Sequence, residues 1–223
     1  MSEALNERST YIDRFASHVS HEFKTPLTSM QGALELLQEH ADDMPQEQRQ
    51  RFINNLYDDT ERLKRLVNRL LEQARADSLQ TTNEQTDILP IIKQLAYAYS
   101  RRGLAVEHEL SSLHLNIAPI AFETVLSNLL ENSLQHGADK VEITIRTVSL
   151  TCLLTLKDNG AGISKANQEN VFTPFFTTQR DEGGTGLGLG IVQALLQTWK
   201  GAIRLVPTES GACFELALSR SNF

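Results

Sequence analysis

Apolar residues in the first third of the chain recur in alternating steps of three and four. Ala16, Val19, Phe23, Pro26, Met30, Ala33 and Leu37 form one seam, with Leu27 and Leu34 beside it. A seam of this heptad type predicts a long helix. Pro26 falls inside it and brings no backbone donor, which predicts a local kink. The pattern breaks at Ala41–Pro45, and Pro45 suits the first turn of a second helix. Phe52, Leu56, Leu63, Leu66, Leu70 and Leu71 then make a second stripe. Each helix is expected to span roughly 30 residues, or about 45 Å at the α-helical rise. Joined by a short turn, the two make an antiparallel hairpin. Such a hairpin cannot close its own apolar stripe, whereas two copies close it as a four-helix bundle, so the pattern predicts a homodimer.

The remaining chain is punctuated differently. Only Gly32 lies in the first 80 residues, and the other eleven of the 12 glycines fall between Gly103 and Gly211. A polar linker near Asp77–Asp87 separates the two styles, which predicts a helical domain over 1–80 and a mixed domain over 81–223. In the second part, helices are expected near Leu89–Tyr99, Pro119–Gln135 and Ile191–Trp199. Strands are expected near Leu104–Leu110, Val141–Thr147, Thr151–Lys157, Ala202–Val206 and Cys213–Leu218. Short turns between successive strands suit an antiparallel or mixed sheet with helices on one face. The fold class is therefore α+β: a two-helix hairpin followed by an α/β sandwich. No internal repeat and no low-complexity tract stands out.

Composition removes several classes of function. The 223 residues carry 21 basic and 28 acidic side chains, a net charge of −7. A nucleic-acid binder shows the opposite balance. No run of about 18 apolar residues occurs, so no membrane span is expected, and no charged start precedes an apolar region in the manner of a signal peptide. Cys152 and Cys213 stand alone in separate apolar stretches, which reads as core filler in a reducing compartment rather than a disulfide framework.

Ser20-His21-Glu22-Phe23-Lys24-Thr25-Pro26-Leu27 carries the first candidate chemistry. At 100° per residue, His21 points away from the seam that Val19 and Phe23 mark, and so toward solvent. A neutral imidazole with a free lone pair is a competent nucleophile near neutral pH. Glu22 can orient that ring or take its second proton. Thr25, four residues on, shares the face of His21, where a hydroxyl could position a water. A lone exposed histidine is usually just a solvated side chain, but the octapeptide resembles the phosphoacceptor box of sensor histidine kinases at every position. His18, one turn earlier, is a competing acceptor without a motif around it.

Four further pieces follow in order. Asn128-Leu129-Leu130-Glu131-Asn132 puts two amides on one helix face, and amide oxygens suit Mg²⁺. Asp158-Asn159-Gly160-Ala161-Gly162 offers a carboxylate for an exocyclic amine such as that of adenine, with glycines that admit a close base. The bland alternative for that piece is an Asn-Gly hairpin turn. Phe172-Thr173-Pro174-Phe175-Phe176 reads either as a hinge beneath a mobile loop or as plain core aromatics. Gly183-Gly184-Thr185-Gly186-Leu187-Gly188-Leu189-Gly190 opens a helix and exposes backbone N–H groups, as phosphate sites do, without the lysine of a P-loop.

In this order the pieces resemble the ATP-binding domain of histidine kinases, within the superfamily shared with gyrase, the Hsp90 chaperones and MutL. The resemblance runs from about Phe15 to Leu218 and takes in Gly211-Ala212-Cys213-Phe214 as a last glycine turn. It implies ATP and Mg²⁺ as ligands. Asn132 would hold Mg²⁺, with Asn128 on the metal or the phosphates, and Asp158 would read the adenine amine. Gly160 and Gly162 would shape the base pocket, and Gly184, Thr185, Gly186, Leu187 and Gly188 would wrap the phosphates. His136 stands where the family often has an aromatic residue. Gln135 and Gln179 replace lysines common in relatives, and Arg180 would supply the second missing cation. The resemblance further implies autophosphorylation of His21, transfer to an aspartate of a response-regulator receiver domain, and phosphatase activity through Thr25. It also implies a cytoplasmic core whose parent sits in the cell inner membrane through a missing N-terminal region. Two other classes remain in view: an ATP-hydrolysing conformational machine, which would need a carboxylate where Asn128 stands, and a non-catalytic scaffold.

Overall fold

The structure is a computed structural model that describes residues 2–40, 42–78, 84–179 and 184–220. The chain forms two compact units, Met1–Leu71 and Glu72–Phe223. The expected junction at 80/81 lies outside the described residues.

The first unit is helical. α1 runs over Ser2–His40 and α2 over Gln46–Ser78, 39 and 33 residues long. α1 continues through Pro26, whose ring is buried, so the proline is absorbed without ending the helix. Pro45 precedes α2 rather than opening it, and its carbonyl accepts the Arg49 N–H at 3.0 Å. The seam is only partly covered. Pro26, Ala33 and Leu66 are buried, but Leu27, Leu34, Ile53, Tyr57 and Leu71 are about half exposed or more. Glu22 on α1 meets Arg62 on α2 at 3.3 Å. The two lie at similar distances from the turn, as an antiparallel hairpin requires.

The second unit begins with β1 (Gln85–Asp87) and α3 (Ile88–Ser100), then β2 (Ala105–His108) and β3 (His114–Asn116). α4 (Pro119–Gln135), β4 (Lys140–Val148) and β5 (Thr151–Asp158) follow. α5 (Gly188–Thr198), β6 (Ala202–Leu205) and β7 (Cys213–Ser219) complete it. Five strands form one sheet in the order β2-β4-β5-β7-β6, parallel between β2 and β4 and antiparallel elsewhere. Alternation puts Val141, Ile143, Leu154, Leu156, Phe214, Leu216 and Leu218 on one buried face. α4 and α5 cover that face with Phe122, Val125, Leu129, Ile191, Val192 and Leu195. Glu142, Thr144 and Arg146 point to the open side. This is the mixed sheet with helices on one face that the pattern predicts.

Three elements, β1, β3 and α5, depart from the expectation. The polar linker Asp77–Asp87 contains the end of α2 and the strand β1, which pairs with β3 as a separate two-stranded sheet. Three polar residues show no apolar alternation, so this strand is invisible until its partner is known. α5 starts at Gly188, three residues before the expected Ile191, and the Ile191 N–H already donates to the Leu187 carbonyl at 2.9 Å. Cys152 and Cys213 are free and buried, as expected of core filler. Burial pushes the Cys152 thiol up to about 11.

Candidate nucleotide pocket and phosphoacceptor

His21 is exposed on α1, as the seam geometry requires. Thr25 is exposed on the same face, and its hydroxyl donates to the His21 carbonyl at 3.3 Å. The hydroxyl proton is thereby committed to the helix, while its oxygen lone pairs stay available to accept from a water. Glu22 is placed differently from His21. It is 9% exposed and faces α2, where Arg62 holds it. Any use of Glu22 at the imidazole therefore competes with Arg62.

In the second unit, Asp158 is the node of the candidate pocket. It ends β5 and is 4% exposed. Its Oδ1 accepts the N–H of Gly160 at 3.0 Å and of Ala212 at 2.9 Å, and its Oδ2 accepts the Ser133 hydroxyl at 3.0 Å. A carboxylate offers about four lone-pair positions. Three are used within the domain, which leaves one on Oδ2 for a donor such as an exocyclic amine. Asn159 does not make a hairpin turn. Its Oδ1 accepts the N–H groups of Asp139 and Lys140 at 3.1 and 3.0 Å, pinning the loop after β5 to the start of β4.

His136 contributes first through its backbone. It caps α4, and its carbonyl accepts the Ala161 N–H at 3.0 Å. A Cβ on Gly160 would stand 2.7 Å from that carbonyl oxygen, so only glycine fits without opening the contact. Gly162 lies against the Gly211 carbonyl. His136 is half-buried.

The two ends of the glycine-rich loop are fastened by backbone. Phe175 is buried with φ 66°, a left-handed conformation rare for a bulky residue. Its N–H donates to the Gly186 carbonyl at 2.8 Å. Gly186 itself has φ 66°, and a Cβ there would overlap the Phe175 backbone. The Gly184 N–H donates to the Gln179 carbonyl at 2.8 Å, and a Cβ on Gly184 would stand 2.6 Å from the Thr177 hydroxyl. Thr185 Oγ1 faces the Leu187 N–H at 3.4 Å. Leu187 is 2% exposed, so its side chain belongs to the core, and Gly188 is the first residue of α5. Phe172 packs edge-on against Phe214 at 6.3 Å, which is the core-aromatic reading of that piece. Arg180 lies outside the described residues.

Asn128 and Asn132 share a face of α4. Asn128 is 4% exposed, and its Nδ2 donates to the Thr124 carbonyl at 2.9 Å. The Asn132 amide is half-buried and has no hydrogen-bond partner among the described residues. Its hard oxygen is free to take a metal. Glu131 is not. Arg102 binds it through both oxygens, at 2.7 and 3.1 Å. Among the described residues, no group of three or more His, Cys, Asp or Glu could hold a metal. A metal here would thus be held by amide oxygen together with the nucleotide's phosphates, a donor set that fits Mg²⁺.

Ser133 was not singled out in the sequence. Its signal is a small polar residue four positions after Leu129 on an otherwise apolar stripe. A hydroxyl buried there must find a partner, and it finds Asp158.

Residues 117–222 match the family described as histidine kinase-, DNA gyrase B-, and HSP90-like ATPase, and residues 11–79 match the His Kinase A (phospho-acceptor) domain. The chain belongs to the sensor histidine kinases of two-component systems. Among curated histidine kinases, it is 32% identical over 219 residues to the alginate biosynthesis sensor protein KinB of Pseudomonas aeruginosa, covering 92% of this chain and 36% of that one. Among solved structures, the Acinetobacter baumannii histidine kinase AdeS superposes with a TM-score of 0.70 at 26% identity, over 91% of this chain and 98% of that one. The histidine kinase ThkA, solved in complex with the response regulator protein TrrA, shares the fold at a TM-score of 0.75 and 20% identity, over 97% of this chain and 64% of that one. The chain spans about a third of the length of KinB.

Proposed function

We propose that the chain is the autokinase core of a sensor histidine kinase that transfers the γ-phosphoryl group of ATP to His21. The observation that carries this is the conjunction of an exposed His21 with a pocket built around Asp158. His21 bonds to the γ-phosphorus as the bond to the ADP oxygen breaks, and the imidazole proton leaves to a base. Glu22 serves as that base once it exchanges Arg62 for the ring. Asp158 accepts the adenine amine on the Oδ2 lone pair that Ser133 leaves open. Asn132, supported by Asn128, would hold Mg²⁺, which neutralises phosphate charge when bound. The transfer then depends mainly on positioning. Gly184, Thr185, Gly186 and Gly188 would supply backbone to the phosphates.

The half-exposed Leu27, Leu34, Ile53, Tyr57 and Leu71 support a homodimer, because a second hairpin would cover them. The partner for phosphoryl transfer is the aspartate of a response-regulator receiver domain. Thr25, with its lone pairs outward beside His21, supports phosphatase activity toward that regulator. No described helix is long and apolar enough to cross a membrane.

The ATP-hydrolysing alternative loses ground on two observations. Asn128 replaces the needed carboxylate, and Glu131 is occupied by Arg102. The test is incubation of the chain with Mg²⁺ and γ-labelled ATP. Protein-bound label that survives base but not acid, and is absent from His21→Gln, is the expected result. Equal label in the variant would move the acceptor, to His18 first. No label in either protein, with ATP still bound, would overturn the autokinase reading.

A further inference from the structure

Tyr99 and Arg102, from the end of α3, grip the last turns of α4. Arg102 meets Glu131 through two bonds, Nη1 to Oε2 at 2.7 Å and Nη2 to Oε1 at 3.1 Å. The guanidinium lies 5.0 Å from the Tyr99 ring centroid, a cation–π arrangement. Tyr99 is 7% exposed, and its hydroxyl lies 3.0 Å from the Ser127 carbonyl and 3.2 Å from Glu131 Oε2. The hydrogen bond to Glu131 raises the Arg102 pKa further above its ordinary range.

The grip therefore falls on positions 127 and 131. These immediately precede Asn128 and Asn132, so they lie one helical step, about 100°, to the side of the amide face. The Asn132 side-chain amide has no hydrogen-bond partner among the described residues, so its aim depends on the helix that carries it. An exposed ion pair alone would contribute little. A bidentate fork stacked on a buried tyrosine also fixes direction. Small losses of such support are felt at a ligand site, because productive geometry holds only within about 0.5 Å.

We propose that Arg102 and Tyr99 are positioning residues for metal-dependent nucleotide binding: by holding Glu131 and Ser127 they set the aim of Asn132 and Asn128. This rests on the assignment of those two asparagines given under Proposed function. The test titrates the full chain with ATP by calorimetry at a series of Mg²⁺ concentrations and again in EDTA. Arg102→Gln should raise the Mg²⁺ concentration for half-maximal ATP binding at least fivefold and change binding in EDTA less than twofold. Tyr99→Phe keeps the ring and removes only the hydroxyl, and should shift the same quantity in the same direction, by less. The swap of Arg102→Glu with Glu131→Arg should return it to within twofold of the parent. A purely structural cluster would lower the unfolding midpoint of Arg102→Gln and leave its Mg²⁺ dependence unchanged, which would overturn the proposal. Asn132→Ala separates the two layers. If it keeps the parental Mg²⁺ dependence, the metal assignment itself fails and the positioning role with it.

Discussion

Ser133→Ala removes a hydroxyl at the centre of the site that lies 3.0 Å from Asp158 Oδ2 and 3.2 Å from the Leu129 carbonyl. Ser133 is 0% exposed and α4 holds it through backbone, so alanine leaves a gap of one oxygen and no new strain. What is lost is the one donor to Asp158 Oδ2 among the described residues, at 3.0 Å, while Gly160 and Ala212 still hold Oδ1. A hydrogen bond to a buried charged group is worth about 1.5–3 kcal/mol. At about 2–4 °C per kcal/mol, the second unit should melt roughly 3–12 °C lower. Trp199 is the chain's one tryptophan and is 6% exposed within that unit, so its fluorescence in a urea titration reports the relevant transition. The midpoint should fall at unchanged slope. Asp158→Asn, alone and combined with Ser133→Ala, closes a cycle, and the coupling should be about 1–2 kcal/mol. ATP should bind about tenfold more weakly, since Oδ2 loses the partner that orients its remaining lone pair. A Ser133→Ala midpoint within about 0.5 kcal/mol of the parent, or additive single variants, would refute the bond and the pocket geometry built on it.

Three other outcomes follow from the same structure. Gly160→Ala should destabilise the second unit by about 2–4 kcal/mol and abolish ATP binding, because its methyl would stand 2.7 Å from the His136 carbonyl; near-parental ATP affinity in a calorimetric titration would contradict this. Lys200 follows α5 in a left-handed conformation, φ 54°, with its N–H on Gln197 and the Gly201 N–H on Leu196. Lys200→Gly should raise the Trp199 midpoint by up to about 1 kcal/mol, since relief of the left-handed penalty exceeds the added chain entropy. Cys152 ionises near 9.0 when unfolded and near 11 when buried. The neutral thiol's contribution to stability should be fully present below pH about 9 and fall away between about 9 and 11, as the unfolded chain releases a proton that the folded one keeps. Stability unchanged across that window in a Cys152→Ala comparison would contradict the assignment.

Much of the molecule was already legible along the chain. The heptad seam located α1 and α2, and period-two apolar runs located β4, β5 and β7, because those patterns reflect which face must leave water. The solvent position of His21 followed from helical angle alone. The glycines at 160 and 186 were visible as glycines, but only the carbonyl of His136 and the backbone of Phe175 explain why no other residue fits. Tertiary structure decided the rest through pairings distant in sequence. Gln85-Thr86-Asp87 becomes a strand because His114-Leu115-Asn116 returns beside it. Glu22 looked available to His21 and is instead held by Arg62, forty residues away. Ser133, Ala212 and Asp158 meet only when α4, β5 and β7 pack, and Arg102 reaches Glu131 only when α3 lies against α4. Local pattern records each residue's preference for water or core. The partner that satisfies a buried polar group is set by three-dimensional packing, and that is where the pocket's chemistry is decided.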